Sequence, residues 1–304
     1  MSPRRPLSLA LATLFLLVGV AASAQNKNGS YRKVQKVADE MMYVTSNVVD
    51  EVLTYGSAKH IEAAVVALEE EWSGSGRYLD RLEADEAAMV DVLNKNMTEL
   101  VELSNGPLLE WATSESRNAF GQDYVFRVGV LFSQVANAMN EYATQFEVRT
   151  RPSEEQERFS SQQELVNYTR TLKKSAVEVD SLVEHIKGEI GTTDIASLRA
   201  SQNALIRAIS APLRGYSEVL HFNDNSRLWE AYQKYFVELL QLTSADLLSD
   251  ITLMDYDLVE FNTVTQATQK SAMKTLSFYD NEKRLLEKRE ARFVKKYLPK
   301  APKR

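Results

Sequence analysis

The stretch FGQDYVFRVGVLFSQVANAMNEYATQF, residues 120–146, carries the clearest fold signal in the chain. Its large apolar residues recur at every third or fourth position, a spacing that places them on one face of an α-helix. A half-buried strand would instead alternate apolar and polar residues. The stretch therefore predicts a long amphipathic helix whose buried face is formed by Phe120, Tyr124, Val128, Leu131, Val135, Met139, Tyr142 and Phe146.

The same spacing recurs on both sides of this helix. The chain has 11 glycines and 7 prolines among 304 residues, so the residues that form the tight turns of an all-β protein are scarce. We predict an all-α fold, with Asp194 as a helix N-cap, a helix end at Pro212 and one long C-terminal helix from Leu258 to Tyr297. The other predicted helical segments contain residues 34–52, 65–72, 93–103, 165–186, 198–209 and 229–247.

The two halves of the chain can be aligned with each other at an offset of 139 in residue number. At this offset Glu99–Leu103 falls on Glu238–Leu242, and Leu108 falls on Leu247. Each half would form a unit of about 140 residues, which is large enough to bury its own core. The alignment predicts two tandem up-down four-helix bundle units that arose by internal duplication.

Polar and basic stretches mark the predicted boundaries. The first unit is expected at residues 25–148 and the second at residues 164–298. Between them, residues 149–163 are mostly polar and contain Pro152, which predicts a linker. Residues 299–304 are expected to form a basic tail.

The N-terminal segment, residues 1–24, has the three parts of a secretory signal peptide. Arg4 and Arg5 form a basic start, Leu7–Val20 is apolar, and Ala22-Ser23-Ala24 is a small-residue cleavage site. We therefore expect an exported protein, located in the periplasm, outside the cell or at the cell surface. An uncleaved membrane anchor stays open as the alternative. No later apolar run is long enough to span a bilayer, so no transmembrane segment is expected after cleavage.

The sequence contains few of the residue patterns that are typical of catalytic or metal-binding sites. Cysteine is absent, which excludes disulfides, thiolate metal sites and cysteine nucleophiles. Of the three histidines, His221 alone has a glutamate three positions before it, and a di-iron bundle needs two such Glu-x-x-His pairs. Phosphate-loop, dinucleotide and nucleophile-elbow motifs are missing as well. We expect no enzymatic activity, no cofactor and no metal site.

An aromatic-rich region offers a candidate ligand groove. Trp229, Tyr232 and Phe236 have helical spacing, which equally favours packing in the core. The functional interpretation is a groove between helices that binds a small ligand. Its candidate residues are Tyr216, His221, Trp229, Tyr232 and Tyr235.

The C-terminal segment is strongly basic although the whole chain has a net charge of −6. Residues 282–304 contain ten Lys or Arg and three Glu, a net charge of +7. Contact with an anionic surface of the cell envelope is one interpretation. Favourable placement of cations at a helix C-terminus is the other. The candidate contact residues are Lys295, Lys296, Lys300, Lys303 and Arg304.

Three short motifs carry a family resemblance. They are Tyr168-Thr169-Arg170, the segment NDNSRLWEAY at residues 223–232, and EARFVKKY at residues 290–297. In these motifs and in its order of four helices, the second half resembles a family of exported bacterial helical surface proteins first labelled in Leptospira and also seen in Bacteroidetes. The resemblance implies an exported four-helix unit and no established activity.

Together these features predict a non-catalytic envelope or surface protein. It would bind a partner protein or a component of the cell envelope, and an exported acidic protein is not expected to bind nucleic acid. The alternative function is that of a periplasmic helical bundle that binds a small ligand or a metal.

Overall fold

A computed structural model describes residues 7–79, 86–114, 120–215 and 219–301, with side chains from Lys27 onward except at residues 76–78. Within these ranges the regular structure is helical and no β-strand occurs, which confirms the predicted all-α fold. The chain divides into two compact units, Met1–Val166 with Leu298–Arg304, and Asn167–Tyr297.

The first unit contains the helices that surround the stretch quoted above. α1 packs against α2 and α5, and α3 packs against α5. A π-helical turn, Ser104–Leu108, separates α3 from α4. The bounds are α1 (Leu7–Leu53), α2 (Ala58–Leu79), α3 (Ala87–Leu103), α4 (Leu109–Thr113), α5 (Phe120–Gln145) and the first part of α6 (Glu154–Glu189).

The second unit repeats this order of helices. α8 packs against α7 and α10, and α9 packs against the same two helices. A π-helical turn, Leu242–Leu247, again separates the third helix from a shorter one. After the remainder of α6, the bounds are α7 (Ile195–Gly215), α8 (Arg227–Gln241), α9 (Leu248–Phe261) and α10 (Gln266–Tyr297).

The predicted leader, residues 1–24, begins outside the described residues, and from Leu7 its backbone belongs to α1. Across the described ranges, no helix combines the length and the apolar content needed to cross a membrane.

Local polar contacts explain where several helices begin. The Ser197 amide donates to Asp194 Oδ1 at 3.0 Å, which confirms the predicted cap of α7. Ser153 and Gln156 form a capping box at the start of α6, because the side chain of each accepts the backbone N–H of the other. α6 therefore begins at Glu154, inside the stretch predicted as a linker.

Two expectations about helix ends are wrong. The segment Leu258–Tyr297 is not one helix, because α9 ends at Phe261 and Asn262 adopts a left-handed φ of 55°. The Asp257 carboxylate then holds the turn by accepting from the Thr265 amide at 2.9 Å and from the Thr265 hydroxyl at 2.7 Å. Pro212 does not end α7 but lies buried in its last turn, where its ring adds apolar contact.

Each unit has its own apolar core. The buried residues recur at three- and four-residue spacing along every long helix, as an amphipathic pattern requires. In the first unit they include Val34, Met41, Val48, Leu68, Leu93, Leu100, Val128 and Val135. In the second they include Leu172, Val179, Ile186, Leu205, Ile209, Phe236, Leu239 and Leu276.

A buried hydroxyl pair lies at the π-helical turn of each unit. Ser104 Oγ donates to the Leu100 carbonyl at 2.7 Å and lies 2.8 Å from the Tyr124 hydroxyl. Thr243 Oγ1 donates to the Leu239 carbonyl at 2.7 Å and contacts the Tyr279 hydroxyl. The offset between the two pairs is 139 from Ser104 to Thr243 and 155 from Tyr124 to Tyr279.

Candidate functional site

A tight turn positions the start of α8. Phe222 and Asn225 exchange two backbone hydrogen bonds of 3.1 and 3.0 Å around Asn223 and Asp224, whose φ angles are 49° and 57°. Positive φ at both central positions is the geometry of a type I′ turn, which asparagine and aspartate tolerate well. The Arg227 amide then donates to Asn225 Oδ1 at 3.1 Å, so α8 begins directly after the turn.

Four aromatic rings join this turn to the end of α10. Phe222 lies 5.5 Å from Tyr168, 6.0 Å from Phe293 and 5.5 Å from Tyr297, measured between ring centroids. The Tyr168 hydroxyl donates to the Leu220 carbonyl at 3.1 Å, and burial raises the pKa of this phenol. Because aromatic contacts and a hydrogen bond both hold the turn, the first residues of α8 have a defined position beside α10.

A cationic groove opens between the start of α8 and the end of α10. Its volume is about 280 Å³. Arg227 contributes from α8, and Arg289, Arg292 and Lys296 contribute from α10. All four side chains are exposed. The remaining lining residues are Asn225, Leu228, Ala231, Phe293 and Tyr297.

The cations of this groove are not held by direct ion pairs. In the described part of the chain, none of these four groups lies within ion-pair distance of a carboxylate. Lys296 Nζ lies 4.9 Å from the centroid of the Tyr297 ring, a cation–π contact that leaves its N–H groups available. Guanidinium groups bind carboxylate and phosphate through paired hydrogen bonds. The groove is therefore suited to an oxyanion.

The corresponding positions of the first unit lack this charge. The offsets that relate the hydroxyl pairs also give the matching positions here: 139 for Arg227 on α8, and 155 for Arg289, Arg292 and Lys296 on α10. The first-unit residues at these positions have no positive charge. These residues are Ala88, Gln134, Asn137 and Glu141.

Of the five residues predicted for a ligand groove, the four that the structure describes do not line the cationic groove. Tyr216 lies outside the described residues, His221 is exposed, and Trp229 is half-buried. Tyr232 is buried and donates to Glu290 Oε2 at 2.7 Å. Tyr235 is also buried, with its hydroxyl 3.5 Å from Asp180 Oδ1.

Tyr232 and Tyr235 thus belong to polar contacts inside the helix bundle. Lys173 Nζ lies 3.8 Å from Glu290, so this buried carboxylate has both a cation and a phenol as partners. Burial, and then the nearby Asp180 charge, raise the pKa of Tyr235, which keeps the phenol neutral. These contacts stabilise the packing of α8 against its neighbours.

Of the five cations predicted from the basic segment, Lys296 lines the groove. Lys295 and Lys300 are exposed elsewhere, and Lys303 and Arg304 lie outside the described residues. Sequence reasoning missed Arg227, Arg289 and Arg292. The spacing of Arg289, Arg292 and Lys296 could have revealed one cationic face of a helix. The contribution of Arg227 has no comparable local signal.

The described residues contain no group of three or more histidines and acids that could hold a metal ion. No protein-family model matches the chain, and no curated protein or solved structure is similar to it at a significant level.

Proposed function

We propose that the protein is a non-catalytic, exported helical protein whose second unit binds phosphate-bearing components of the cell envelope. The observation that carries the proposal is the groove lined by four cations, none in a direct ion pair within the described part of the chain, and by two aromatic rings. Three of these cations are arginines, which favour oxyanions because two N–H groups can bind one phosphate or carboxylate.

The location and the class of partner come from sequence features. The leader-like residues 1–24 and the resemblance to exported helical surface proteins both support an envelope location. The net charge of −6 argues against general attraction to polyanions, so an anion would bind at the local concentration of positive charge. The role would be adhesion or recognition rather than conversion of a substrate.

We also propose that the two units arose by duplication. Buried residues of α1 and α6 correspond at an offset of 138, and those of α2 and α7 at 137. The offset is 139 for α3 and α8, and it also relates Ser104 to Thr243. It is 155 for α5 and α10, which includes Tyr124 and Tyr279. Changes of one or two residues between helices would account for the first three offsets, whereas the step of 16 residues before α10 includes a longer α9, with 14 residues against 5 in α4. Under this proposal the cationic groove evolved in one copy.

Vesicle co-sedimentation of the purified protein tests the proposed function. A groove variant combines Arg227→Ala, Arg289→Gln and Arg292→Asn, which places the first-unit residues in the second unit. A matched control combines Arg284→Gln, Lys288→Gln and Lys295→Gln, which removes three exposed α10 cations outside the groove lining. Both variants change the net charge equally.

We expect binding to vesicles that contain phosphatidylglycerol and none to phosphatidylcholine alone. The groove variant should lose at least about a hundredfold in affinity, since it removes charge-assisted hydrogen bonds to one phosphate, each worth roughly 1.5 kcal/mol or more, that the control cations do not make. The control variant should lose much less. Titration with inorganic phosphate distinguishes a free anion from a lipid headgroup. Equal losses in the two variants, or no binding by the unmodified protein, would contradict the proposal.

A further inference from the structure

A second cavity lies within the first unit, between α5 and the first turns of α6. Its volume is about 450 Å³, which is in the range of small-molecule sites. One wall is the α5 face from Gly129 to Asn140, the other is the α6 face from Gln156 to Gln163, and Tyr31 and Met42 of α1 also line it. The proposed anion groove involves none of these residues.

The cavity is elongated along the helices. Its α5 residues, from Gly129 to Asn140, follow helical spacing and span about 16 Å along the axis at about 1.5 Å per residue. Its α6 residues, from Gln156 to Gln163, span about 10 Å by the same measure. A slot of this shape fits an extended chain better than a compact ring system.

The interior of the slot is apolar and adaptable. Phe132 and Phe159 are both buried and pack edge-to-face with centroids 4.9 Å apart. Met42 and Met139, also buried, add flexible thioether side chains that can adjust to a ligand. A largely apolar lining with a few polar groups is the usual composition of a small-molecule site.

The two ends of the slot differ in charge. At one end Gln163 Nε2 donates to the Val125 carbonyl at 3.2 Å. Glycine at position 129 makes this possible, because a Cβ atom there would collide with Gln163 Oε1. At the other end lies Arg151, the one charged side chain among the described residues that line the slot.

Two contacts hold the segment that carries Arg151. The Arg151 carbonyl accepts from Gln35 Nε2 at 3.2 Å, and Ser153 Oγ donates to Asp39 Oδ1 at 2.8 Å. The first contact uses the backbone of Arg151, and the second uses the nearby residue Ser153. Neither contact involves the Arg151 side chain. The guanidinium of Arg151 therefore stays available at the exposed end of the slot.

We propose that this slot binds a linear amphipathic monocarboxylate of the fatty-acid class. The hydrocarbon chain lies along α5 and contacts the outer side of the Phe132–Phe159 ring pair. The carboxylate lies at the open end and accepts hydrogen bonds from Arg151. This activity is separate from anion binding by the second unit.

Calorimetric titration of the purified protein with dodecanoate and with dodecanol tests the proposal. Dodecanoate should bind, and dodecanol should bind about tenfold more weakly because a charge-assisted hydrogen bond is lost. Arg151→Gln should weaken dodecanoate to the affinity of dodecanol. The groove variant of the second unit should bind dodecanoate normally, which separates this test from that of the proposed function.

A matched pair of substitutions tests whether the chain occupies the slot. Ala136 lines the slot, whereas Ala138, also half-buried on α5, does not. Ala136→Leu should abolish dodecanoate binding and Ala138→Leu should preserve it, with circular dichroism confirming that both variants are folded. The proposal is overturned if the unmodified protein binds neither probe. It is also overturned if Ala136→Leu, in folded protein, leaves dodecanoate binding unchanged.

Discussion

Asp39 is a carboxyl group that the fold keeps partly out of water. Burial raises its pKa from 3.8 to about 6, with smaller contributions from the Glu155 and Glu40 charges, although a hydrogen bond from Ser153 opposes the change. The folded protein therefore binds this proton more tightly than the unfolded chain does. The contribution of Asp39 to stability is greatest below about pH 4 and declines as the pH rises to about 6.

Replacement of Asp39 by asparagine should remove this pH dependence. We expect Asp39→Asn to raise the melting temperature at pH 8 and to change it little at pH 4, since the new amide oxygen would still accept from Ser153. Melting followed by circular dichroism at both pH values measures the effect. The exposed residue Asp91 provides a control, Asp91→Asn, which should shift neither melting temperature. A loss of stability at pH 8 in Asp39→Asn would contradict the raised pKa of Asp39.

The hydroxyl pair Ser104–Tyr124 is fully buried, so its loss should be costly. The Ser104 proton is directed at the Leu100 carbonyl, so the Tyr124 hydroxyl is the donor to Ser104 Oγ. Ser104→Ala should destabilise by about 1–3 kcal/mol because it leaves a buried phenol without a partner. Adding Tyr124→Phe should cost less than the sum of the single changes, as measured by urea denaturation. Additive losses would show that the two hydroxyls are not coupled.

At the scale of elements, a charged contact between α3 and α5 differs from the corresponding contact between α8 and α10. On α3 and α5, Arg127 Nε donates to Glu99 Oε1 at 3.1 Å. The corresponding residues of α8 and α10 are Glu238 and Glu282, two carboxyl groups. Burial, followed by the hydrogen bond with Glu238 and the Glu238 charge, raises the pKa of Glu282, although the charge of Arg289 opposes the change.

Glu282→Arg should restore an ion pair between α8 and α10. Because a raised carboxyl pKa costs stability once the group ionises, the gain should be larger at pH 8 than at pH 4. We expect the free energy of unfolding to rise by about 0.2–1 kcal/mol, the usual range for an exposed ion pair. Urea denaturation at the two pH values measures it. Glu287→Arg makes the same charge change at an exposed α10 position, and an equal gain there would indicate a general charge effect.

At the scale of the whole molecule, the basic C-terminal segment has two parts with different expected roles. Arg289, Arg292 and Lys296 belong to the groove, whereas residues 299–304 follow α10. Deletion of residues 299–304 should leave the melting temperature nearly unchanged, since the buried α10 face ends at Phe293 and Val294. Binding to anionic vesicles should weaken far less than in the groove variant. A larger loss on deletion would identify the tail as the main contact.

Much of the fold could be predicted because helical periodicity is a local property. The apolar spacing predicts the buried face of α5 from Tyr124 to Tyr142, although Phe120 and Phe146 at its ends are only half-buried, and the Asp194 cap lies where the sequence predicts it. The break at Asn262 was missed because asparagine forms a left-handed turn without the signal that glycine or proline provides. That turn depends on Asp257 and Thr265, which are not adjacent in the chain and meet only once the turn has formed.

By itself, the amino-acid sequence determined the helical class, most helix positions and the concentration of positive charge near the C-terminus. It did not indicate that Arg227 would line one groove with Arg289 and Arg292, or that Phe132 would pack against Phe159 in the lining of a slot. The tertiary structure decided both sites. A helical pattern identifies which face of a segment is buried, whereas the partner of that face depends on the packing of all helices in the unit.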